Sequence, residues 1–206
     1  MTKLIALTAL RRFARARAAE ERCELCSAPL GPEHAHLVEL SGRRLVCACD
    51  ACAILFSSGA ATRYRRVPRE IEALAGLRIT DEQWAGLGVP IGLAFFFHST
   101  PAGQVVAAYP SPAGATESLL PGEAWEALVV ENPFLAALQP DVEALLANRI
   151  GGKRAYYRVP IDECYKLVGL VRTHWRGLSG GAEVWGRIAR FFEELEARAV
   201  RKGPPE

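Results

Sequence analysis

The chain has 206 residues, 50% of them hydrophobic, and a formal net charge of +2. This is enough apolar material for a core in one or two domains, and a net charge so close to zero gives no argument for a polyanionic partner. No apolar run approaches the roughly 18 residues that a spanning helix needs, so the composition predicts no membrane insertion.

The first segment, residues 3–20, is rich in Ala, Leu and Arg and contains no Gly or Pro, which predicts a helix. Its Arg11-Arg12-Phe13 sequence resembles a twin-arginine export signal, but charged residues occupy the place where an apolar region should follow. We therefore expect a surface helix on a soluble, cytoplasmic protein. In that reducing compartment, paired cysteines bind metal rather than form disulfides.

Most of the cysteines lie between residues 23 and 52, where they form two C-x2-C pairs and leave one extra thiol. The pairs are Cys23 with Cys26 and Cys49 with Cys52. Four thiolates in two such pairs can surround one soft cation tetrahedrally, and a single Zn²⁺ ion is the simplest occupant. The same ligands also hold a single iron or an iron–sulfur cluster, so iron is not excluded. Closed four-thiolate sites are usually structural, and we predict these cysteines as metal ligands.

The segment between the two pairs predicts a β-hairpin. Residues 37–40 and 43–47 have strand character, and a two-residue Ser-Gly turn joins them. The resulting register pairs Glu39 with Arg44, and their opposite charges support it.

A helix is predicted over residues 50–56, with the second thiol pair at its first turn. The predicted order is then a tight turn at Cys23 and Cys26 (the knuckle), a hairpin and a helix. This is the layout of a treble-clef zinc module. Its physical logic is that free N–H groups at the knuckle and at the helix N-terminus offset the thiolate charge.

Cys47, His34 and His36 are left outside the predicted four-cysteine site. The hairpin register places His36 opposite Cys47. These side chains could replace a predicted ligand, form a small second site, or only support the metal ligands and the core. A nucleoside-deaminase site is excluded, because its H-x-E sequence and the proline before its second cysteine pair are both missing.

The chain changes character near residue 60, so we predict one domain over residues 1–60 and a second over residues 61–206. In the second domain, Thr80 and Gln83 form a capping-box pattern that opens a short helix. The other predicted elements are strands over 92–99 and 104–109, a loop over 110–122, a helix over 141–149 and a strand over 155–159.

Two amphipathic helices are predicted to end the chain as a helical hairpin, because apolar residues recur at spacings of three and four and glycines separate them at 177, 180 and 181. The predicted fold class is therefore α+β. It combines an N-terminal treble-clef zinc module with a small mixed-sheet domain closed by the C-terminal helical hairpin.

Catalytic motifs are missing from the sequence, which predicts a protein that is not an enzyme. It contains no phosphate-cradling glycine loop, nucleophile elbow or paired-carboxylate motif. Cys164 lies on an apolar helical stripe and is expected to pack in the core. His98 and His174 have no serine or carboxylate partner at a recognisable spacing.

Arginines are concentrated in residues 11–22 and 63–69. Glutamates are interleaved with them, and no pattern of stacking aromatic residues accompanies them. This favours a solvated face or a protein contact over nucleic-acid binding.

Three stretches of the chain resemble an uncharacterised bacterial family, a domain of unknown function found among genes that accompany some nickel–iron hydrogenases. The first stretch is the cysteine region, with Cys23-Glu-Leu-Cys26, His34-x-His36 and Cys47-Ala-Cys49-x-x-Cys52. The second is Arg63-Tyr-Arg65. The third begins with Val159-Pro-x-Asp162-x-Cys164 and continues to Trp185. The resemblance implies an accessory role beside a hydrogenase and a protein partner such as a metalloenzyme subunit or maturation factor. It implies no catalytic residues.

Taken together, these features predict a zinc-binding, non-catalytic accessory or adaptor protein for the maturation or assembly of a hydrogenase-type metalloenzyme. A small iron–thiolate electron carrier is the first alternative, and a nucleic-acid-binding regulator is the second.

Overall fold

The computed structural model describes residues 21–59 and 62–201. The helix predicted over residues 3–20 lies outside the described residues. Within the described ranges, no helix is both long enough and apolar enough to cross a membrane.

The described residues form two sheets and five α-helices, which confirms the mixed α and β character. In chain order the elements are β1 (Ala35–Glu39), β2 (Arg44–Ala48), α1 (Asp50–Ser57), β3 (Tyr64–Arg66), β4 (Glu72–Ala73), α2 (Asp81–Gly86), β5 (Leu93–Ser99), β6 (Gln104–Ser111), β7 (Gly114–Ser118), α3 (Gly122–Glu131), β8 (Glu143–Asn148), β9 (Ala155–Pro160), α4 (Ile161–His174) and α5 (Gly181–Arg198). Short 3-10 helices cover Pro133–Ala137 and Ile150–Gly152.

The small sheet has the strand order β2-β1-β3, and its β1–β2 register is the predicted one. The predicted two-residue turn is wrong, because β1 ends at Glu39 and β2 begins only at Arg44. The left-handed backbone is at Arg43, with φ of 50°. Leu40 does not pair across the hairpin and instead donates its N–H to the carbonyl of Arg63, 3.0 Å away, on the β3 side. The sheet thus continues past residue 60, where the domain boundary is predicted.

The large sheet is antiparallel throughout, with the order β4-β9-β8-β5-β6-β7. Its side chains alternate between two cores, as successive residues of a strand must. Phe95 and Phe97 belong to the core shared with α4 and α5, whereas Phe96 belongs to the core shared with α3. Val38 of the small sheet joins the first of these cores, so the cysteine-rich module packs on the α4 side.

The helix predicted over residues 141–149 is wrong, because this segment forms strand β8. Ala, Leu and Glu favour a helix locally, but β8 pairs with both β5 and β9, and all of its residues are buried. A strand covered on both faces has a continuous apolar run without alternation, which periodicity alone cannot distinguish from a buried helix. Pairing on both edges outweighs the intrinsic helix propensity here.

The loop predicted over residues 110–122 is also wrong in part, since it contains the edge strand β7, which pairs with β6. Other predictions are confirmed. Thr80 and Gln83 form a complete capping box at the start of α2, and the predicted strands over 92–99, 104–109 and 155–159 correspond to β5, β6 and β9.

The predicted pair of C-terminal helices is confirmed as α4 and α5, which pack on each other and on the large sheet. Gly180 precedes α5 with φ of 84°, and a Cβ at this position would lie 2.8 Å from the Val184 side chain. Only glycine fits both requirements. Cys164 is fully buried in this core, as expected, and burial raises the pKa of its thiol well above the ordinary value.

Candidate metal centre

A tight turn presents the first cysteine pair. Cys23 donates its N–H to the carbonyl of Ala28 at 2.8 Å, and Ser27, with φ of 63°, donates to the carbonyl of Cys23 at 2.7 Å. Glu24 ties this turn to β2, because its N–H donates to the Cys47 carbonyl and its carboxylate accepts the Cys47 N–H at 2.8 Å. Two hydrogen bonds between Glu24 and Cys47 therefore hold the knuckle against strand β2.

The start of α1 presents the second pair. Cys49 is the N-terminal capping residue of α1, with extended backbone and no side-chain capping hydrogen bond, and Cys52 lies in the first turn. This end of a helix carries N–H groups without intrahelical partners and a partial positive charge, both of which favour thiolates.

The four cysteines of the two pairs converge. Their sulfur atoms all lie within 4.8 Å of one another, and Sγ of Cys26 is 3.7 Å from Sγ of Cys49. Cys23 and Cys52 are buried, Cys49 is half-buried and Cys26 is exposed. All four are free thiols rather than disulfides, so this cluster could hold a metal ion, as the spacing predicts.

The thiols differ in how readily they lose a proton. Burial acts to raise the pKa of Cys23, but backbone hydrogen bonds from Cys49, Leu25 and Cys26 outweigh it and lower the pKa to about 6. Burial, together with hydrogen bonds that its thiol donates to the neighbouring sulfurs, raises the pKa of Cys52 to about 12. The negative charge of a Cys23 thiolate also opposes ionisation of Cys52, since like charges this close repel.

A second group of potential ligands lies beside the first. One ring nitrogen each from His34 and His36 and the sulfur of Cys47 lie within 4.8 Å of one another. The predicted pairing of His36 with Cys47 is confirmed. These three residues form a group of their own rather than joining the four cysteines.

A partner at Nδ1 fixes the orientation of each histidine ring. His34 Nδ1 lies 3.0 Å from the Gly31 carbonyl, and His36 Nδ1 lies 2.7 Å from Oδ2 of Asp162. Asp162 is in the first turn of α4, far from the hairpin in sequence. We did not predict a role for Asp162; it lies in one of the three stretches that carry the family resemblance, which was the only signal for it.

The remaining histidines and the arginines near β3 join neither ligand group among the described residues. His174 Nδ1 lies 3.3 Å from Glu183, and His98 is exposed on β5. The arginines of β3 and its preceding residue form ion pairs within the chain: Arg63 with Glu39, Arg65 with Asp141 and Arg66 with Asp50.

Sequence comparisons place this site in a family. No curated protein and no solved structure shows significant similarity to the chain. A family of unknown function matches residues 22–199, which include both ligand groups. The expected membership of an uncharacterised family is thus confirmed, and the chain belongs to the family of unknown function DUF5947.

Proposed function

We propose that the chain is a zinc-binding, non-catalytic adaptor protein in which Cys23, Cys26, Cys49 and Cys52 hold one Zn²⁺ ion. The observation that carries the proposal is the convergence of four free thiols from two separate segments. A tetrahedron with Zn–S bonds of 2.3 Å has edges of about 3.8 Å, and the sulfurs of Cys26 and Cys49 are 3.7 Å apart. This spacing suits a single ion; a four-iron cluster would hold its cysteines farther apart, because the irons lie between them.

We further propose that the N-terminal module is a treble clef. The knuckle, the β1–β2 hairpin and α1 follow one another in the order of that module. The backbone hydrogen bonds that lower the pKa of Cys23 come from the knuckle and from the start of α1, which are the positions where the module offsets thiolate charge.

The adaptor role rests on the surface of α1. Ile54, Leu55 and Phe56 are consecutive and 58%, 69% and 40% exposed. Exposed apolar clusters of this kind mark protein-interaction surfaces more often than they serve stability. The family resemblance adds the class of partner, which we propose to be a subunit or maturation factor of a hydrogenase-type metalloenzyme.

Metal analysis combined with a visible spectrum tests the zinc centre. We expect the wild-type protein to be colourless and to contain zinc. Cys26→Ala and Cys49→Ala should each lose the zinc ion that the four cysteines hold. Thiolate-to-iron charge-transfer bands in anaerobically purified protein would overturn zinc in favour of the iron–thiolate electron carrier.

Affinity capture from the native host tests the partner. The wild-type chain should retain an identified metalloenzyme subunit or maturation factor, and Leu55→Glu should lose it. Leu119→Glu is the matched control, because Leu119 is 94% exposed and lies in the other domain. If neither class of protein is retained by the wild type, the adaptor role is refuted. Retention of random-sequence DNA at low salt would instead support the nucleic-acid-binding regulator.

A further inference from the structure

The hairpin separates its side chains into two sets. In antiparallel strands, directly paired residues share a face and successive residues alternate. Ala35, Leu37, Val46 and Ala48 form the small core of the module with Cys23 and Cys52. His36 and Cys47 are cross-strand partners on the opposite face, and His34 is two residues before His36. The strand period therefore places His36 and Cys47 on this face, away from the core of the four-cysteine site. His34 lies just before β1, and one of its ring nitrogens is within 4.8 Å of the donor atoms of the other two.

The two imidazoles are arranged as metal ligands are. In metal-binding proteins, the nitrogen that does not bind the ion usually donates to a carboxylate or a backbone carbonyl. His36 Nδ1 has the carboxylate of Asp162, and His34 Nδ1 has the carbonyl of Gly31. Each histidine therefore has its Nε2 left for another partner.

The surroundings of His34 Nε2 are a second, independent indication of a ligand at this group. Its side chain is only 8% exposed, and among residues 21–59 and 62–201 this buried nitrogen has no hydrogen-bond partner. A buried polar atom without a partner costs about 1–3 kcal/mol. A ligand that coordinates the imidazole removes that cost.

We propose that His34, His36 and Cys47 form a second metal-binding site for one transition-metal ion, distinct from the four-cysteine site, and that Asp162 positions His36 within it. Two imidazoles and one thiolate suit borderline ions such as Zn²⁺ and Co²⁺, and suit the hard ions Mg²⁺ and Ca²⁺ poorly. The proposal does not depend on the proposed adaptor function.

The proposed second site supplies three protein ligands to its ion, whereas the four-cysteine site supplies four. Three protein ligands leave a fourth position for water or an exogenous ligand, as in catalytic rather than structural zinc sites. A cavity of about 450 Å³ borders both histidines and Asp162. The geometry thus suits a retained ion whose fourth position faces water or a small ligand.

Binding follows a simple proton balance. The metal ion replaces the proton of the Cys47 thiol, which passes to the buffer, while both histidines bind as neutral imidazoles.

Metal stoichiometry tests the proposal on the full, untagged chain. After equilibration with excess Zn²⁺ and removal of loosely bound ions, the wild type should retain two ions per chain. His36→Ala and Cys47→Ala should retain one, with unchanged circular dichroism. His98→Ala and Cys164→Ala are the matched histidine and thiol controls and should retain two. A wild type that saturates at one ion, or a Cys47→Ala chain that still binds two, overturns the second site.

The role of Asp162 has its own readout. Asp162→Asn should weaken the second ion's binding about 10–100-fold and leave the first ion's unchanged, whereas Asp162→Glu should restore part of the affinity. With Co²⁺ as the probe, the absorption bands assigned to the second ion should be lost in His34→Ala and shifted in Asp162→Asn. Equal affinities and spectra in Asp162→Asn and the wild type would refute the positioning role. A wild-type chain that binds an ion at His34, His36 and Cys47 but none at the four cysteines would refute the proposed zinc module and leave this site standing.

Discussion

Replacing Cys52 by alanine removes one sulfur from the four-cysteine cluster and should unfold the N-terminal module while leaving the large sheet intact. The module has a core of only seven buried residues, and two of them are the cysteines themselves. Leu25, Leu30 and Tyr64 pack partly buried against this core. Among the residues that the structure describes, the only fully buried aliphatic side chains larger than alanine in it are Leu37 and Val46. Their burial contributes about 1.5–3 kcal/mol each.

Metal binding contributes more than this core. A structural zinc site is worth about 10–16 kcal/mol of apparent binding free energy near neutral pH, which exceeds what the two apolar side chains supply. With three thiols left, we expect the ion to be lost and the free energy of local opening to approach zero. The first core of the large sheet takes Val38 and the partly buried Leu45 from the module, and the second core takes none of its residues. The stability of the large sheet should therefore change little.

Hydrogen–deuterium exchange read by mass spectrometry distinguishes the two parts. In Cys52→Ala, peptides from residues 21–59 should exchange as unfolded chain, whereas peptides from β8 should stay protected. Cys164→Ala removes a fully buried thiol from the core shared with α4 and α5 and should cost about 1 kcal/mol without loss of metal. If the Cys52→Ala module is metal-free and still as protected as the wild type, the metal does not hold it folded.

Three further predictions concern the part of the chain that contains the large sheet. Arg149→Met should lower its unfolding free energy by about 1–3 kcal/mol in urea, because the buried guanidinium donates to the Ile79 carbonyl at 2.8 Å, which would lose its partner. Glu196→Gln should lower the urea midpoint at pH 7 but not in acid. Arg201 and then Tyr157 hold the pKa of Glu196 below its ordinary 4.5, so its stabilisation is present above pH 4.5 and is lost as the pH falls through the lowered value. Leu145→Ala, at a fully buried position of β8, should cost about 2–5 kcal/mol by the same measurement.

Each of these predictions has an outcome that contradicts it. Arg172→Met, the same change at an exposed arginine of α4, is the control for Arg149→Met and should leave the midpoint unchanged; equal midpoints for the two variants would refute the buried hydrogen bond. If Glu196→Gln still lowers the urea midpoint at a pH well below the lowered pKa of Glu196, the loss of stability has a cause other than the charge of Glu196. A Leu145→Ala loss below 1 kcal/mol would contradict the packing of β8 between two covered faces.

The hairpin shows why part of the site could be predicted. Alternation of side chains along a strand is local, and the opposite charges of Glu39 and Arg44 favour one register, so the pairing of His36 with Cys47 follows from neighbouring residues alone. The predicted turn is wrong because Leu40 bonds to the residue before β3, a partner that no local pattern indicates.

Segment β8 shows the opposite case. Its Ala- and Leu-rich sequence favours a helix, and only its position between β5 and β9 makes it a strand. Local propensity amounts to tenths of a kcal/mol per residue, which the burial of six residues and two ladders of hydrogen bonds outweighs.

The sequence by itself determined the two cysteine pairs, the hairpin register and the helical hairpin, because spacing and periodicity are properties of consecutive residues. Only the tertiary structure decided that His36 meets Asp162, 126 residues away, and that His34, His36 and Cys47 stand apart from the four cysteines. Those contacts depend on how the module packs against α4. Packing between distant segments follows from the burial of whole surfaces, which no local pattern records.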